Sequence, residues 1–193
     1  MIETRQRLLE ATRNVLGRKG LAGTTSRDIT GSAGVNLAAI TYHFGSKDEL
    51  VAAALLQSVR EWLAPTLEVL QGPGDPALRT GLAIRTLVAT FDRHRAEAPV
   101  YLEALLQASR LPALHRGLLD LWAGLRRLLA DQMATLIDAG SLPGWVAPQP
   151  MAALLVAVAN GLVIQVTIDP DGPGLDAMAA QFGALLIAAR EGV

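Results

Sequence analysis

Residues 34–50 read GVNLAAITYHFGSKDEL, and the way this stretch divides into a helix stop, a short helix and a new helix start decides the fold. Gly34 follows a short helical segment, residues 26–33, at a point where a glycine can take the positive φ that ends a helix. Asn36 carries a side-chain acceptor suited to capping the next helix, which runs from Leu37 to Phe44. Ile40 and Phe44 stand one turn apart, so both can face inward onto Ile29 and Val35. The other face carries Leu37, Ala38, Ala39, Thr41 and Tyr42, small or neutral groups that can press close to another surface. Gly45 ends this helix, and Ser46 with Glu49 has the spacing of a capping box that opens a fourth. Two short helices joined by a tight glycine-containing turn form the helix-turn-helix that sets its second helix in a DNA groove.

The helix ends are suited to phosphate. Thr25 opens the second helix with Asp28 at the capping-box position, and Ser26 and Arg27 put a hydroxyl and a guanidinium beside free backbone amides. Tyr42, His43 and Lys47 offer further donors. Phosphate contacts fix register on a duplex, while Thr41 can bond a base or phosphate and the Leu37, Ala38 and Ala39 methyls can pack on thymine methyl groups. Capped helix pairs with buried Ile and Phe also occur in all-helical proteins of every kind. Residue by residue, a purely structural helix-turn-helix stays open.

The combination is more specific than its parts. Through TRQRLLEATRNVLGRKGLAGTTSRDIT and then AGVNLAAITYHFGSKDEL, the first fifty residues resemble the N-terminal domain of the TetR family of transcriptional regulators. The resemblance implies a three-helix DNA-binding domain, a larger helical ligand-binding and dimerisation domain, and ligand-controlled release of operator DNA. It puts DNA contacts on Thr25, Ser26 and Arg27, on Asn36, Leu37, Ala38, Ala39, Thr41, Tyr42 and His43, and on Lys47 as a phosphate ligand. One position departs from the pattern: Ile40 and Thr41 precede Tyr42 where many members place Leu-Tyr.

Composition agrees with a helical protein. Apolar residues make up 51% of the 193 and aromatics only 4%, which suits Ala- and Leu-rich helix packing rather than an aromatic-rich sheet. Residues 1–50 hold seven Lys or Arg against five Asp or Glu, a net of +2; the remainder holds ten against thirteen, a net of −3. DNA contact would therefore depend on placed donors and on doubling the charge in a dimer, not on a broad positive field. With no cysteine, disulfides and thiolate chemistry are excluded, which suits a reducing compartment. The charged, amphipathic N-terminus, with Leu8, Leu9, Val15 and Leu16 at heptad distance, lacks a signal peptide's apolar core, and a cytoplasmic location is expected.

Downstream, a long helix from Lys47 to about Leu70 contains Pro65. A turn at residues 71–75 leads to a helix capped by Asp75 with Pro76 at its first position. Pro99 and Pro112 begin two more, the last reaching Ala139. The stretch from Trp145 to Ile168 has no charged residue and could span a bilayer. Pro148 and Pro150 are expected ahead of its helix, and Asn160 and Gln165 would be costly against lipid. Burial in protein on most sides is the expectation instead, with no membrane involved. With a closing helix over residues 175–190, it would build an intersubunit four-helix bundle through Ala153, Val156, Ala157, Asn160, Ile164, Phe182, Leu185 and Leu186, as the family resemblance suggests.

Apolar pockets between helices carry a few polar groups. The residues of suitable type are Trp62, Phe91, His94, Tyr101, Gln107, Trp122, Met133, Asn160 and Gln165, with His115 a further candidate. His94 and Glu97 have a one-turn spacing, but no matching ligands stand out for a metal. No catalytic motif is found either, and no cofactor is expected. The expectation is an all-α homodimeric regulator, a repressor, with residues 1–50 reading a palindromic operator and residues 51–193 binding a small lipophilic effector and dimerising. The alternative is a helical binding protein for a lipophilic molecule or a protein partner.

Overall fold

The structure is a computed structural model that describes residues 2–174 together with 177, 178, 180, 181 and 184. Its helices are α1 (Ile2–Gly23), α2 (Ser26–Ala33), α3 (Ala38–Phe44), α4 (Lys47–Gln71), α5 (Pro76–Arg93), α6 (Ala98–Gln107), α7 (Pro112–Asp138) and α8 (Pro148–Ile168), with a 3-10 turn at Arg95–Glu97. No strand occurs among the described residues, so the fold is all-α. The chain divides into two compact units, one of Met1–Glu61 with Ala96–Asp120 and the other of Trp62–Arg95 with Leu121–Val193.

In the first unit, two apolar clusters hold the helices. Leu8, Leu9 and Ala11 of α1 meet Ile29 and Ala33 of α2, Ile40 of α3, and Leu50 and Ala54 of α4, with Val35 and Phe44 packed against them. A second cluster joins Leu16 of α1 and Val51, Ala52, Leu55 and Leu56 of α4 to Ala104 of α6 and to Leu114 and Leu118 of α7. The heptad spacing of the apolar residues of α1 thus serves both clusters from one helix. Gly34 adopts φ 63 and ψ 40, the left-handed conformation expected of a helix stop. The Arg7 guanidinium donates to the carbonyls of Ala33 and Gly34, so a cation neutralises the C-terminal end of α2.

In the second unit, Asp75 caps α5 by accepting from the Leu78 amide at 2.9 Å. Arg79 donates to the Gly72 carbonyl and to Gln132 Oε1, tying α5 to the end of α4 and to α7. Trp62, Val88, Met133, Leu136, Ala152, Val156 and Val163 are among its buried residues. α8 differs from the sequence expectation in two ways. It begins at Pro148, so both prolines lie in its first turn, where the amide that proline lacks has no intrahelical partner anyway. It is also not covered on most sides. Only Ala152, Val156 and Val163, which share one stripe, are buried, while Leu154, Ile164 and Ile168 on the other side are exposed. Among the described residues, full burial on α8 is confined to this stripe.

A side chain at residue 34 would have to enter the left-handed region, at a cost of about 1–2 kcal/mol, and an added Cβ would stand 2.9 Å from Arg7 Nη2. Gly34→Ala is therefore expected to lower unfolding stability in urea by about 1–2 kcal/mol, and Gly34→Asn by less. Equal midpoints for wild type and Gly34→Ala would show that the turn does not need its glycine.

Candidate nucleic-acid interface

The geometry of the first unit starts from the caps. Thr25 Oγ1 accepts from the Asp28 amide at 3.2 Å, while Asp28 Oδ2 accepts from the Thr25 amide at 3.2 Å and the Thr25 hydroxyl at 2.7 Å, a complete capping box. Lys19 Nζ lies 2.6 Å from Asp28 Oδ1. The Lys19 hydrogen bond first, and then the Thr25 donors, hold the Asp28 carboxyl down from its ordinary 3.8 to about 2. Ser26 and Arg27 follow in the first turn of α2, the arginine exposed.

The turn then delivers α3. Asn36 Oδ1 accepts from the Ala39 amide at 3.0 Å, so the asparagine caps the helix although Leu37 is its first flanking residue. Ile40 is buried, and Leu37 and Tyr42 stand 53% and 72% exposed. Ala38 and Thr41 are exposed beside them, Ala39 and His43 half-buried. The Tyr42 and His43 rings meet edge to face with centroids 4.9 Å apart. Gly45 closes the helix, and Ser46 Oγ accepts from the Glu49 amide at 3.1 Å to open α4. Lys47 Nζ donates to the Thr24 carbonyl at 3.1 Å, which ties the start of α4 to the start of α2 and leaves its other two N–H groups for other acceptors. The result is a short capped helix with a nearly neutral exposed face, preceded in the chain by Arg27 on α2 and followed by Lys47 at the start of α4.

Sequence reasoning passed over two arginines here. Arg7, already described, neutralises the turn. Arg5 sits 5.0 Å over the Phe44 ring, so a further exposed cation stands at the end of α3. Arg5 and Arg60 also edge a cleft of about 450 Å³ floored by Leu9, Ala52, Ala53 and Leu56. The heptad pattern of α1 was legible, but nothing in it says which polar residue reaches across to another helix.

Residues 8–54 match the profile of the bacterial regulatory proteins of the tetR family, and residues 76–189 match that of the C-terminal part of BetI-type transcriptional repressors. The chain belongs to the TetR family. It is a helix-turn-helix transcriptional regulator of that family, which is not one of enzymes. The HTH-type transcriptional regulator BetI of Burkholderia ambifaria is 32% identical over 98 residues, covering 50% of this chain and 48% of that protein. The chain thus spans about half the length of the curated relatives it matches. A TetR transcription regulator from Haloarcula marismortui shares the fold with a TM-score of 0.85 at 21% identity, over 97% of this chain and 98% of that one. The multidrug binding protein EbrR, complexed with proflavin, is 30% identical with a TM-score of 0.66, over 95% of this chain and 99% of that one.

The candidate effector residues of this TetR-family chain fall on several helices. In the second unit, Trp62 (α4) and Met133 (α7) are buried, Phe91 (α5), Trp122 (α7) and Asn160 (α8) half-buried, and Gln165 (α8) exposed. The structure brings together Trp62 and His94, whose ring centroids are 5.5 Å apart at a tilt of 30°. Tyr101 is buried and Gln107 half-buried on α6 of the first unit, where His115 is exposed on α7. Among the dimer candidates, Ala153, Ala157 and Ile164 are exposed and Val156 is buried. Asn160 Nδ2 donates to the Val156 carbonyl at 2.9 Å. Phe182, Leu185 and Leu186 lie outside the described residues.

The Asp28 geometry carries a pH dependence. Between pH 3.8 and about 2 the unfolded chain binds a proton at this carboxyl that the folded chain does not. Its stabilising effect is therefore complete above pH 3.8 and lost as pH falls through about 2. An NMR titration should place the Asp28 midpoint near 2, and Lys19→Met should move it upward. A midpoint indifferent to Lys19 would mean that the capping box alone sets it.

Proposed function

We propose that this chain is a ligand-responsive repressor that binds a palindromic operator as a homodimer in the cytoplasm and releases it on binding a small lipophilic effector. Residues 1–50 form the reading head and residues 51–193 the effector and dimerisation part. The observation that carries the reading is the exposed face of α3. Leu37, Ala38, Thr41 and Tyr42 stand out from a helix locked by Asn36 and Ile40, with Arg27 in the first turn of α2 and Lys47 at the start of α4. Ala39 and His43 border this face, and Thr25 and Ser26 bring amides and hydroxyls at the start of α2. Arg5, over Phe44, adds a cation that the sequence reading did not include. Such a face offers methyl groups and few hydrogen bonds, so sequence would be read by thymine methyl contacts and by DNA shape more than by bidentate pairs.

Dimerisation is assigned to the exposed side of α8, through Ala153, Ala157, Asn160 and Ile164, together with Phe182, Leu185 and Leu186. By length and composition α8 could cross a membrane; a second copy of the chain is the covering surface proposed here. Two heads would then meet half-sites about 34–36 Å apart, or a multiple of that. Effector binding among Trp62, Phe91, His94, Trp122, Met133 and neighbouring residues needs a coupling of about 1–3 kcal/mol to release DNA. The multidrug binding protein EbrR, solved with proflavin, supports a small-molecule effector for this chain.

Selection from random duplexes tests the reading, because a dimeric regulator should enrich a two-fold symmetric sequence. Tyr42→Ala is expected to weaken binding of that sequence about tenfold with dimerisation intact, and Lys47→Ala to weaken it on all sequences and reduce the salt slope by about 1. Wild-type binding by both variants would remove these residues from the interface. Ile164→Arg should turn the dimer into monomers in analytical ultracentrifugation and abolish operator binding at nanomolar protein. A dimer that survives Ile164→Arg would place the interface elsewhere.

A further inference from the structure

The chain passes between its two compact units three times. Two passages, after Glu61 and after Asp120, lie inside the unbroken helices α4 and α7. The third, Arg95 to Ala96, lies in the 3-10 turn that leads into α6. A short 3-10 turn has poorer hydrogen-bond geometry than an α-helix and is a common place for a hinge. Arg95 is itself held in the second unit, where its guanidinium donates to the carbonyls of Val166 at 3.3 Å and Pro170 at 2.9 Å, at the end of α8. A rearrangement around α8 would therefore reach α6 along the chain.

On α6, Glu103 is held against a break in α1. Gly20 takes φ 67 and ψ 177, which interrupts the helix, and the Leu21 amide donates to Glu103 Oε2 at 2.9 Å. Glycine is needed for this conformation, and a Cβ at residue 20, 3.3 Å from that same oxygen, would press the carboxylate aside by a few tenths of an ångström. The joint continues toward the reading elements. Thr24, itself buried, donates from Oγ1 to the Gly20 carbonyl at 2.6 Å and from its amide to the Leu21 carbonyl at 3.3 Å. Its carbonyl accepts from Lys47, and the next residue, Thr25, caps α2. One carboxylate on α6 thus anchors the segment from which α2 and the start of α4 are hung, and α3 lies between those two.

We propose that Glu103 is a positioning residue of the reading head, its carboxylate holding the Leu21 amide at the Gly20 break so that displacement of α6 re-aims α2 and α3. This rests on the regulator reading, and the reading adds what the displacement does: it lowers operator affinity. A hydrogen bond to a charged acceptor is among the stronger kinds, and this one joins the α1 break to a residue 82 positions away.

The test uses the full chain and two variants, Glu103→Ala and Glu103→Gln. In the free protein, hydrogen exchange at the Leu21 amide should be about tenfold faster in Glu103→Ala, and faster by a smaller factor in Glu103→Gln, which keeps a neutral acceptor of the same length. Unchanged exchange at Leu21 in either variant overturns the proposal. The selected duplex supplies the second readout. Because coupling is reciprocal, DNA bound at the head should slow exchange of the α6 amides several-fold in the wild type, and this slowing should be lost in Glu103→Ala. A residue that only stabilised the fold would leave that response in place, so equal slowing in wild type and Glu103→Ala also overturns the proposal. A wild-type chain that selects no duplex sinks the regulator reading in its own experiment, while exchange at Leu21 in the free protein still decides whether Glu103 holds the joint.

Discussion

Ile40 must be buried for α3 to exist, because a helix of seven residues cannot form on its own in water. Its side chain is held among Leu8, Leu9, Ile29, Leu50 and Ala54, contributed by the three other helices of the head. Burying an isoleucine is worth about 1.5–3 kcal/mol, against about 1 kcal/mol for a side-chain cap such as Asn36. The core therefore decides whether the helix forms, and the caps decide where it begins and ends. Every residue on its exposed face inherits its position from that one contact. Changes in the packing of α1 or α4 accordingly reach Thr41 and Tyr42 without touching them.

Charge in the head is arranged on the same principle. Its net of +2 is small, and much of it is spent on holding the turn together. Lys19 pairs with Asp28, Arg7 neutralises the end of α2, Arg13 pairs with Glu61, and Lys47 binds the Thr24 carbonyl. On the regulator reading, phosphate would meet Lys47 already oriented by the Thr24 carbonyl and Arg5 by the Phe44 ring. Pre-oriented donors lose less freedom on binding, which offsets part of the weak long-range attraction. The cost is that Lys47 has two roles, and removing it would loosen the joint between α2 and α4 as well as a phosphate contact.

The parts of this architecture that were readable in the sequence are the local ones. Thr25 and Asp28, Gly34, Asn36, Gly45 and Ser46 act through backbone groups within three or four residues, so spacing alone reveals them. Ile40 and Phe44 were readable because one turn of helix puts them on one face. What was hidden depends on distant partners. The Gly20 break lies in a sequence that continues to look helical, and its acceptor, Glu103, is 82 residues away. Arg7 and Arg5 look like ordinary exposed residues of a polar helix until α2 and α3 are folded against them. The helix start at Pro148 was misjudged for a different reason: a proline pair suggests a break, yet the first turn of a helix needs no amide from either residue.

α8 is where composition says least. Its charge-free length satisfies the requirement for a membrane span, for a core helix and for an interface helix alike. Geometry sets the core helix apart from the other two. A core helix would be covered all round, whereas here Ala152, Val156 and Val163 form one buried stripe and the opposite side, with Ala153, Ala157, Ile164 and Ile168, is open. Asn160 Nδ2 donates to the Val156 carbonyl at 2.9 Å and the Thr167 hydroxyl to the Val163 carbonyl at 2.7 Å, so each has a partner on its own helix. Small alanines on the open side permit close approach, and the larger Ile164 supplies apolar area. An exposed helix of this character is a liability for a monomer in water. On the dimer reading the same surface becomes the element that fixes the spacing of two heads, and Arg95, bonded to the end of α8, opens the 3-10 turn that leads into α6. Assembly and response would then share a single helix, so a substitution on its open face that preserved the dimer should still alter effector sensitivity.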